Sequence, residues 1–257
     1  MKQHFLFVIK EYLESTLSDF SVETADMSFL PIKALEDRKN GKVFDTSDHI
    51  RGLIYAQLSN QAKWKNIAPH LDEIDNIFYQ YDIEKIRQNP GSYYNQRVQE
   101  IRCGNRGFSR AMDGLNDNLD TFMKIADKYG SLDEYVTSIP SYMIAKELSE
   151  VKSEYKLKMV GEALAWEYLR NVGIDGAKPD AHLCRFLGAD RMGTGKNGTA
   201  TAEEVYNQAK KLSDDTGLSM TAVDAIIWNY CADGYGEICT ASPHCEKCVV
   251  REFCAFK

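Results

Sequence analysis

Apolar residues recur at helical spacing through most of this chain, in stretches such as "DHIRGLIYAQLSNQAKWKNIAPHL", "SLDEYVTSI", "MVGEALAWEYLRNV", "TAEEVYNQAKKL" and "TAVDAIIWNYC". That spacing gathers the apolar side chains on one face of each helix, which must then be buried against a neighbour. Long alternating runs of Val, Ile and Thr, the mark of half-buried strands, are missing. The chain therefore reads as all-α. Helix starts are marked at Ser131-x-x-Glu134, just after Gly130, and at Thr201-x-x-Glu204, both with the form of a capping box. Residues 29–48, "FLPIKALEDRKNGKVFDTSD", separate the first helix from the second and predict a turn or a short extended piece. The glycine-rich "GADRMGTGKNGTAT" misses the phosphate-loop pattern, because Asp190 stands where its first glycine belongs, and it reads as a connector.

With 257 residues the chain can form one large domain or two small ones around a real core. It opens directly into the amphipathic "FLFVIKEYLESTL", with no leader pattern and no apolar run of about 18 residues to cross a membrane. A cytoplasmic address is the expectation. Four of the seven cysteines, Cys239, Cys245, Cys248 and Cys254, crowd into the last nineteen residues at gaps of five, two and five. In a reducing compartment such spacing points to metal or cluster ligands before disulfides. Structural zinc usually draws two Cys-x2-Cys pairs from separate places, and here there is one pair flanked by single cysteines. A compact run supplying four thiolates favours a 4Fe–4S cluster, with zinc left open.

The formal charge of −7 argues against a generic nucleic-acid binder. Residues 85–110 run against that balance, carrying Lys85, Arg87, Arg97, Arg102, Arg106 and Arg110 against Glu100 alone, interleaved with Tyr93, Tyr94 and Phe108. Either this is a solvated helix face or it is a surface that tracks phosphates, since local charge sets phosphate contact.

One order of motifs goes further. "LKMVGEALAWEYL" (157–169) is followed by Asp180, nineteen residues after Gly161, opening "DAHLCRFLG". Alone, Asp180 after Pro179 reads as a helix N-cap. In order with the cysteines, the chain resembles the helix–hairpin–helix base-excision DNA glycosylases of the endonuclease III superfamily over residues 45 to 257. Their Leu-Pro-Gly-Val-Gly hairpin aligns with Leu157, Val160 and Gly161, with Ala165 following. Their Asp-Thr-His-x-x-Arg segment aligns with Asp180, His182 and Arg185. Their Leu-Ser-Ala-Gln-Ala aligns with "LSNQA" (58–62), so that Gln61 takes the place of the glutamine that fills the gap left by a flipped nucleotide. "DGYGEIC" and "PHCEKC" are similar to the family's cluster surroundings, which favours 4Fe–4S over zinc. The chain departs in two places: the first cluster gap is five rather than six, and Lys158 and Met159 replace the hairpin's proline and first glycine.

The resemblance implies a two-lobed fold: a six-helix barrel lobe over 45–172, and a lobe of 1–44 plus 173–257 carrying the cluster. It implies double-stranded DNA with a damaged base as partner, bound across the cleft by a monomer of bacterial or archaeal, nucleoid-associated type. DNA contacts fall to Gln61, Val160, Gly161, His182 and Arg185 by the resemblance, and to Arg102, Arg106 and Arg110 by their local charge. Asp180 becomes the catalytic carboxylate that stabilises an oxocarbenium-like sugar. Bifunctional members carry a Schiff-base lysine where this chain has Ala163, so abasic-site lyase activity is not expected. Adenine-mismatch members carry a glutamate where this chain has Ala56. Tyr55, Gln57 and Trp64 are candidates to line a base pocket, or are ordinary helix packing. An aromatic pocket favours a cationic base, which makes an alkylated purine the first expectation and mismatched uracil or thymine the second. A non-catalytic iron–sulfur DNA-binding protein is the alternative of another class.

Overall fold

The computed structural model describes residues 4–17, 20 and 30–256; Met1–Gln3 at the opening and Phe29 lie outside the described residues. Among the described residues every regular element is helical. The α-helices run α1 (Phe5–Thr16), α2 (Leu30–Lys39), α3 (Thr46–Leu58), α4 (Leu71–Ile77) and α5 (Ile83–Ile86). They continue as α6 (Gly91–Glu100), α7 (Phe108–Asp113), α8 (Leu115–Tyr129), α9 (Leu132–Ser138) and α10 (Ser141–Ser149). The last four are α11 (Glu162–Asn171), α12 (Ala181–Phe186), α13 (Ala202–Thr216) and α14 (Met220–Cys231). Among the described residues no helix is long and apolar enough to cross a membrane.

The chain divides into two compact units, Lys33–Ile174 and Met1–Ile32 with Asp175–Lys257. The first division therefore falls within α2, twelve residues ahead of the expected 44/45 break. Within residues 29–48, Leu30–Lys39 form a helix that was not expected, ahead of the expected turn at Asn40–Gly41 and the non-helical residues 42–45, and the reason for the helix is tertiary. Arg38, in the last turn of α2, donates from Nε and Nη2 to the carbonyl of Val172 at 3.0 and 2.7 Å, and its Nη2 lies 2.5 Å from Asp133 Oδ1. Burial works against the charge of Asp133, but its contacts with His49 and Arg38 prevail and hold the carboxyl at about 2.

In the 33–174 unit α3 is the central element, buried almost continuously from His49 to Leu58. It starts at a full capping box between Asp45 and Asp48. It lies close against α11 at Gly52, where an added Cβ would come within 3.1 Å of the Val172 side chain. Asn171 Nδ2 donates to the Gly52 carbonyl at 3.0 Å, and His49 Nδ1 and the Tyr168 hydroxyl stand 2.6 Å apart. These bonds offset part of the cost of burying polar groups, about 1–3 kcal/mol for one left unpaired.

The other unit has its own core, in which Leu6, Ile9 and Leu13 of α1 join Leu183 and Phe186 of α12, Val205 and Ala209 of α13, and Ile226, Ile227 and Tyr230 of α14. The Thr201–Glu204 capping box forms as expected. Glu204 also accepts from Lys196 N at 3.0 Å and Asn197 Nδ2 at 3.0 Å, and these bonds hold its carboxyl down at about 2. The glycine-rich loop before α13 is thereby tied to that helix and serves as a connector.

Candidate active site and nucleic-acid interface

Asp180 is the N-cap of α12, and both capping bonds fall on one oxygen. Its Oδ1 accepts from His182 N at 2.8 Å and Leu183 N at 3.1 Å. Oδ2 has no hydrogen-bond partner among the described residues, so one oxygen fixes the carboxylate while the other stays open. The preceding strap is pinned to α14: Asp175 accepts from Thr221 N and Thr221 Oγ1, each at 2.9 Å, and Lys178 N donates to buried Asp224 at 2.7 Å. Cap and functional carboxylate are therefore compatible roles for Asp180.

His182 and Arg185, one turn apart, meet through Nδ1 and Nη2 at 3.2 Å. Burial lowers the His182 pKa, with Asp180 opposing, so the imidazole is neutral at neutral pH and its Nδ1 accepts. Its ring stands edge-on to Trp228 at 6.0 Å. Arg185 is half-buried, with its Nε buried and unpartnered. Its charge also acts on Cys231 and Cys239, which links the aspartate motif to the cysteine segment.

That segment hangs from Tyr230. Ile238 N and Cys239 N donate to its carbonyl at 3.0 and 3.2 Å, and its hydroxyl donates to Cys248 Sγ at 3.4 Å. Arg191 donates to Cys239 Sγ at 2.9 Å and to the Thr240 carbonyl at 2.9 Å while itself buried. A hydrogen bond from Cys231, then the Arg191 charge and bond, lower the Cys239 pKa to about 6, against burial. Cys239 is thus favoured as a thiolate, the form that binds a metal. Cys245, Cys248 and Cys254 are half-buried on two short turns. Among the described residues no three His, Cys, Asp or Glu side chains are gathered so as to hold a metal ion. The donor set suits a cluster in its chemistry, with four thiols on one segment and a buried cation offsetting thiolate charge. Arg191 has no sequence signal, because its partners lie about fifty residues away in a loop.

In the 33–174 unit, the charge of residues 85–110 sorts into two kinds. Lys85 is paired with Asp82 at 3.3 Å, Arg87 with Asp120 at 2.6 Å and Arg97 with Glu100 at 2.6 Å. Arg102, Arg106 and Arg110 are exposed and have no acidic partner among the described residues. Arg102 borders an open depression that it shares with Lys65, His70, Glu73 and Glu100, a surface of mixed charge. The loop of Arg106 is fastened to the end of α3, where Asn105 Nδ2 donates to the carbonyls of Gln57 and Leu58 at 2.8 and 3.0 Å. Gln61 follows that helix end, exposed and in the left-handed conformation at φ 53°.

Tyr55 and Trp64 come together edge-on at 6.2 Å. The Tyr55 hydroxyl donates to Asp75 Oδ1 at 2.6 Å, as does the Tyr81 hydroxyl at the same distance. Burial and the Asp75 bond push the Tyr55 pKa up, so this hydroxyl stays protonated. Asp75 was not legible in sequence, where "LDEIDN" is one more acidic helix face. Gln57 is buried, and both its side-chain Nε2 and Oε1 lack a partner. Ala56 is fully buried.

The hairpin occupies the turn between α10 and α11. Leu157 N donates to the Leu148 carbonyl at 3.0 Å, and Met159 takes φ 57° where the resembling family has glycine. Gly161 is the N-cap of α11 with extended backbone (φ −91°), no side-chain cap and open space around its Cα. Ala163 lies in the first turn of α11.

No family model matches the chain, and no curated protein does. Among solved structures, it is similar to the Methanocaldococcus jannaschii 8-oxoguanine glycosylase/lyase in complex with a 15mer DNA containing 8-oxoguanine. The likeness has a TM-score of 0.56 at 16% identity, covering 88% of this chain and 95% of that one. The chain thus has the helix–hairpin–helix DNA glycosylase fold.

Proposed function

We propose that this protein is a DNA N-glycosylase that extrudes a damaged base and cleaves its bond to the sugar, leaving an abasic site. The observation that carries the reading is Asp180, a carboxylate fixed through one oxygen with the other open, at the motif position of the glycosylase aspartate. As the C1′–N bond breaks, its electron pair leaves with the base and positive charge develops on the sugar. A fixed carboxylate stabilises that charge without reorganising. A water oxygen then bonds to C1′ and its proton passes to solvent or to Asp180. Gln61, exposed in a tight turn, fills the gap in the duplex. Arg102, Arg106 and Arg110, with Val160 and Gly161 of the hairpin, hold phosphates, and His182 and Arg185 frame the aspartate.

An alkylated purine is the substrate class best supported by the residues, because the Tyr55–Trp64 pair and the Asp75 carboxylate suit a cationic base. The unpartnered amide of Gln57 supplies a donor and an acceptor for such a base. The solved neighbour's 8-oxoguanine favours an oxidised purine as the second reading. Single-turnover base release on duplexes carrying an N-alkylated purine, 8-oxoguanine, or mismatched uracil or thymine tests this. Release from the alkylated duplex first, with strand cleavage only after alkali and no borohydride-trapped complex, is expected. A trapped complex contradicts the absence of lyase activity, and no release from any duplex leaves a DNA-binding protein without catalysis.

Cys239, Cys245, Cys248 and Cys254 hold a 4Fe–4S cluster in this proposal, supported by the thiolate-favouring surroundings of Cys239. When bound, the cluster cross-links the C-terminal segment and so contributes to folding. Cys245→Ser should cost iron content, visible absorbance and soluble protein, while Cys103→Ser should keep all three. Undiminished iron in Cys245→Ser contradicts the ligand set.

A further inference from the structure

The hairpin turn is shaped by two side chains that lie outside its motif. Asn118, fully buried on α8, pairs with both backbone groups of Lys158: its Nδ2 donates to the Lys158 carbonyl at 3.2 Å, and Lys158 N donates to its Oδ1 at 2.6 Å. Lys156 folds back so that its Nζ donates to the carbonyl of Leu157 at 2.7 Å and to that of Val160. Met159 sits between these two braces in the left-handed region, which a residue with a Cβ enters only at a cost. Backbone in such a conformation persists only where its surroundings over-determine it. Burial and the Lys158 charge both disfavour the Lys156 ammonium, and the two carbonyls offset them.

We propose that Lys156 and Asn118 are positioning residues for DNA phosphate: together they impose on Met159 the turn a glycine would take unaided, and so set the N–H groups at the uncapped start of α11. The proposal rests on the reading of the hairpin as a DNA contact. Lys156 would act through shape as well as charge, and the two can be separated. Glycine at position 159 accepts a positive φ freely. Changing Met159 to glycine therefore restores the shape when the brace is lost, but leaves the lost charge missing.

The experiment is a fluorescence-anisotropy titration of full-length protein against a duplex with a tetrahydrofuran abasic-site analogue. It compares wild type, Lys156→Met, Met159→Gly, the double variant and Gly161→Asp, with Tm measured for each. Lys156→Met should bind about tenfold more weakly without a matching fall in Tm, because phosphate-gripping backbone fixes register on the duplex. Met159→Gly alone should bind like wild type, and the double variant should recover to within about threefold of it. Lys156→Gln is the milder substitution and should show the same rescue. A double variant as weak as Lys156→Met would reduce the role of Lys156 to charge and overturn the proposal, as would wild-type affinity in Lys156→Met. Wild-type affinity in Gly161→Asp would instead remove the hairpin from the DNA, and the underlying reading would fail. Weak binding in Gly161→Asp beside unchanged Lys156→Met would sink the positioning role alone.

Discussion

Two helices begin in opposite ways in this protein. At α12 the cap is a carboxylate, Asp180, that closes two backbone N–H groups with one oxygen. At α11 the cap is Gly161, which has no side chain to offer and leaves the first turn open. Orphan N–H groups at a helix start carry partial positive charge and are usually closed by Ser, Thr, Asp or Asn. The α12 cap satisfies that demand internally and fixes a negative charge in place. The α11 start leaves the demand to be met by an anion from outside, and a DNA phosphate is that anion in the reading above.

The comparison is broken most sharply by closing the open end. Gly161→Asp meets no steric obstacle and needs no change of backbone, and aspartate is among the best N-caps. It should raise stability by about 0.3 kcal/mol, read as a slightly higher Tm, because an Asp cap exceeds a Gly cap by only a few tenths. It should also weaken DNA binding by tenfold or more, roughly, because a carboxylate then occupies the phosphate's place. A variant both more stable and equally tight on DNA would show that the open end has no anion to receive.

The arginines give a smaller effect. Each of Arg102→Ala, Arg106→Ala and Arg110→Ala should weaken binding a few-fold at moderate salt and reduce the log–log salt slope by about 0.9. Lys85→Ala, Arg87→Ala and Arg97→Ala should change the slope less, since those charges are already matched by Asp82, Asp120 and Glu100. Equal slopes across all six would place phosphate contact elsewhere.

Local signals carried much of this structure. The Thr201–Glu204 capping box, the Ser131 cap (which forms without the return bond from Glu134), the helical spacing of α3 and α11 and the Asp180 cap all depend on residues within one turn of each other, where sequence is directly readable. What stayed hidden depends on partners far along the chain. Arg38 holds α2 by bonds to Asp133 and Val172, and Asn118 shapes the hairpin 40 residues away. Arg191 reaches Cys239 from 48 residues away, and Asp75 gathers the hydroxyls of Tyr55 and Tyr81. None of these leaves a periodic or motif-like trace. The basic stretch was legible as charge, but which of its arginines are already neutralised required the fold.

The central claim is that Asp180 is both cap and catalytic carboxylate, and Asp180→Asn separates the two. Asparagine caps about as well as aspartate, so Tm should stay within about 2 °C of wild type, equivalent to about 0.5 kcal/mol or less. The substitution removes the negative charge opposite the developing sugar cation, so single-turnover base release should fall by about a hundredfold or more. Affinity for the lesion duplex should be retained or increased. Base release at the wild-type rate from a stable Asp180→Asn protein would contradict the account.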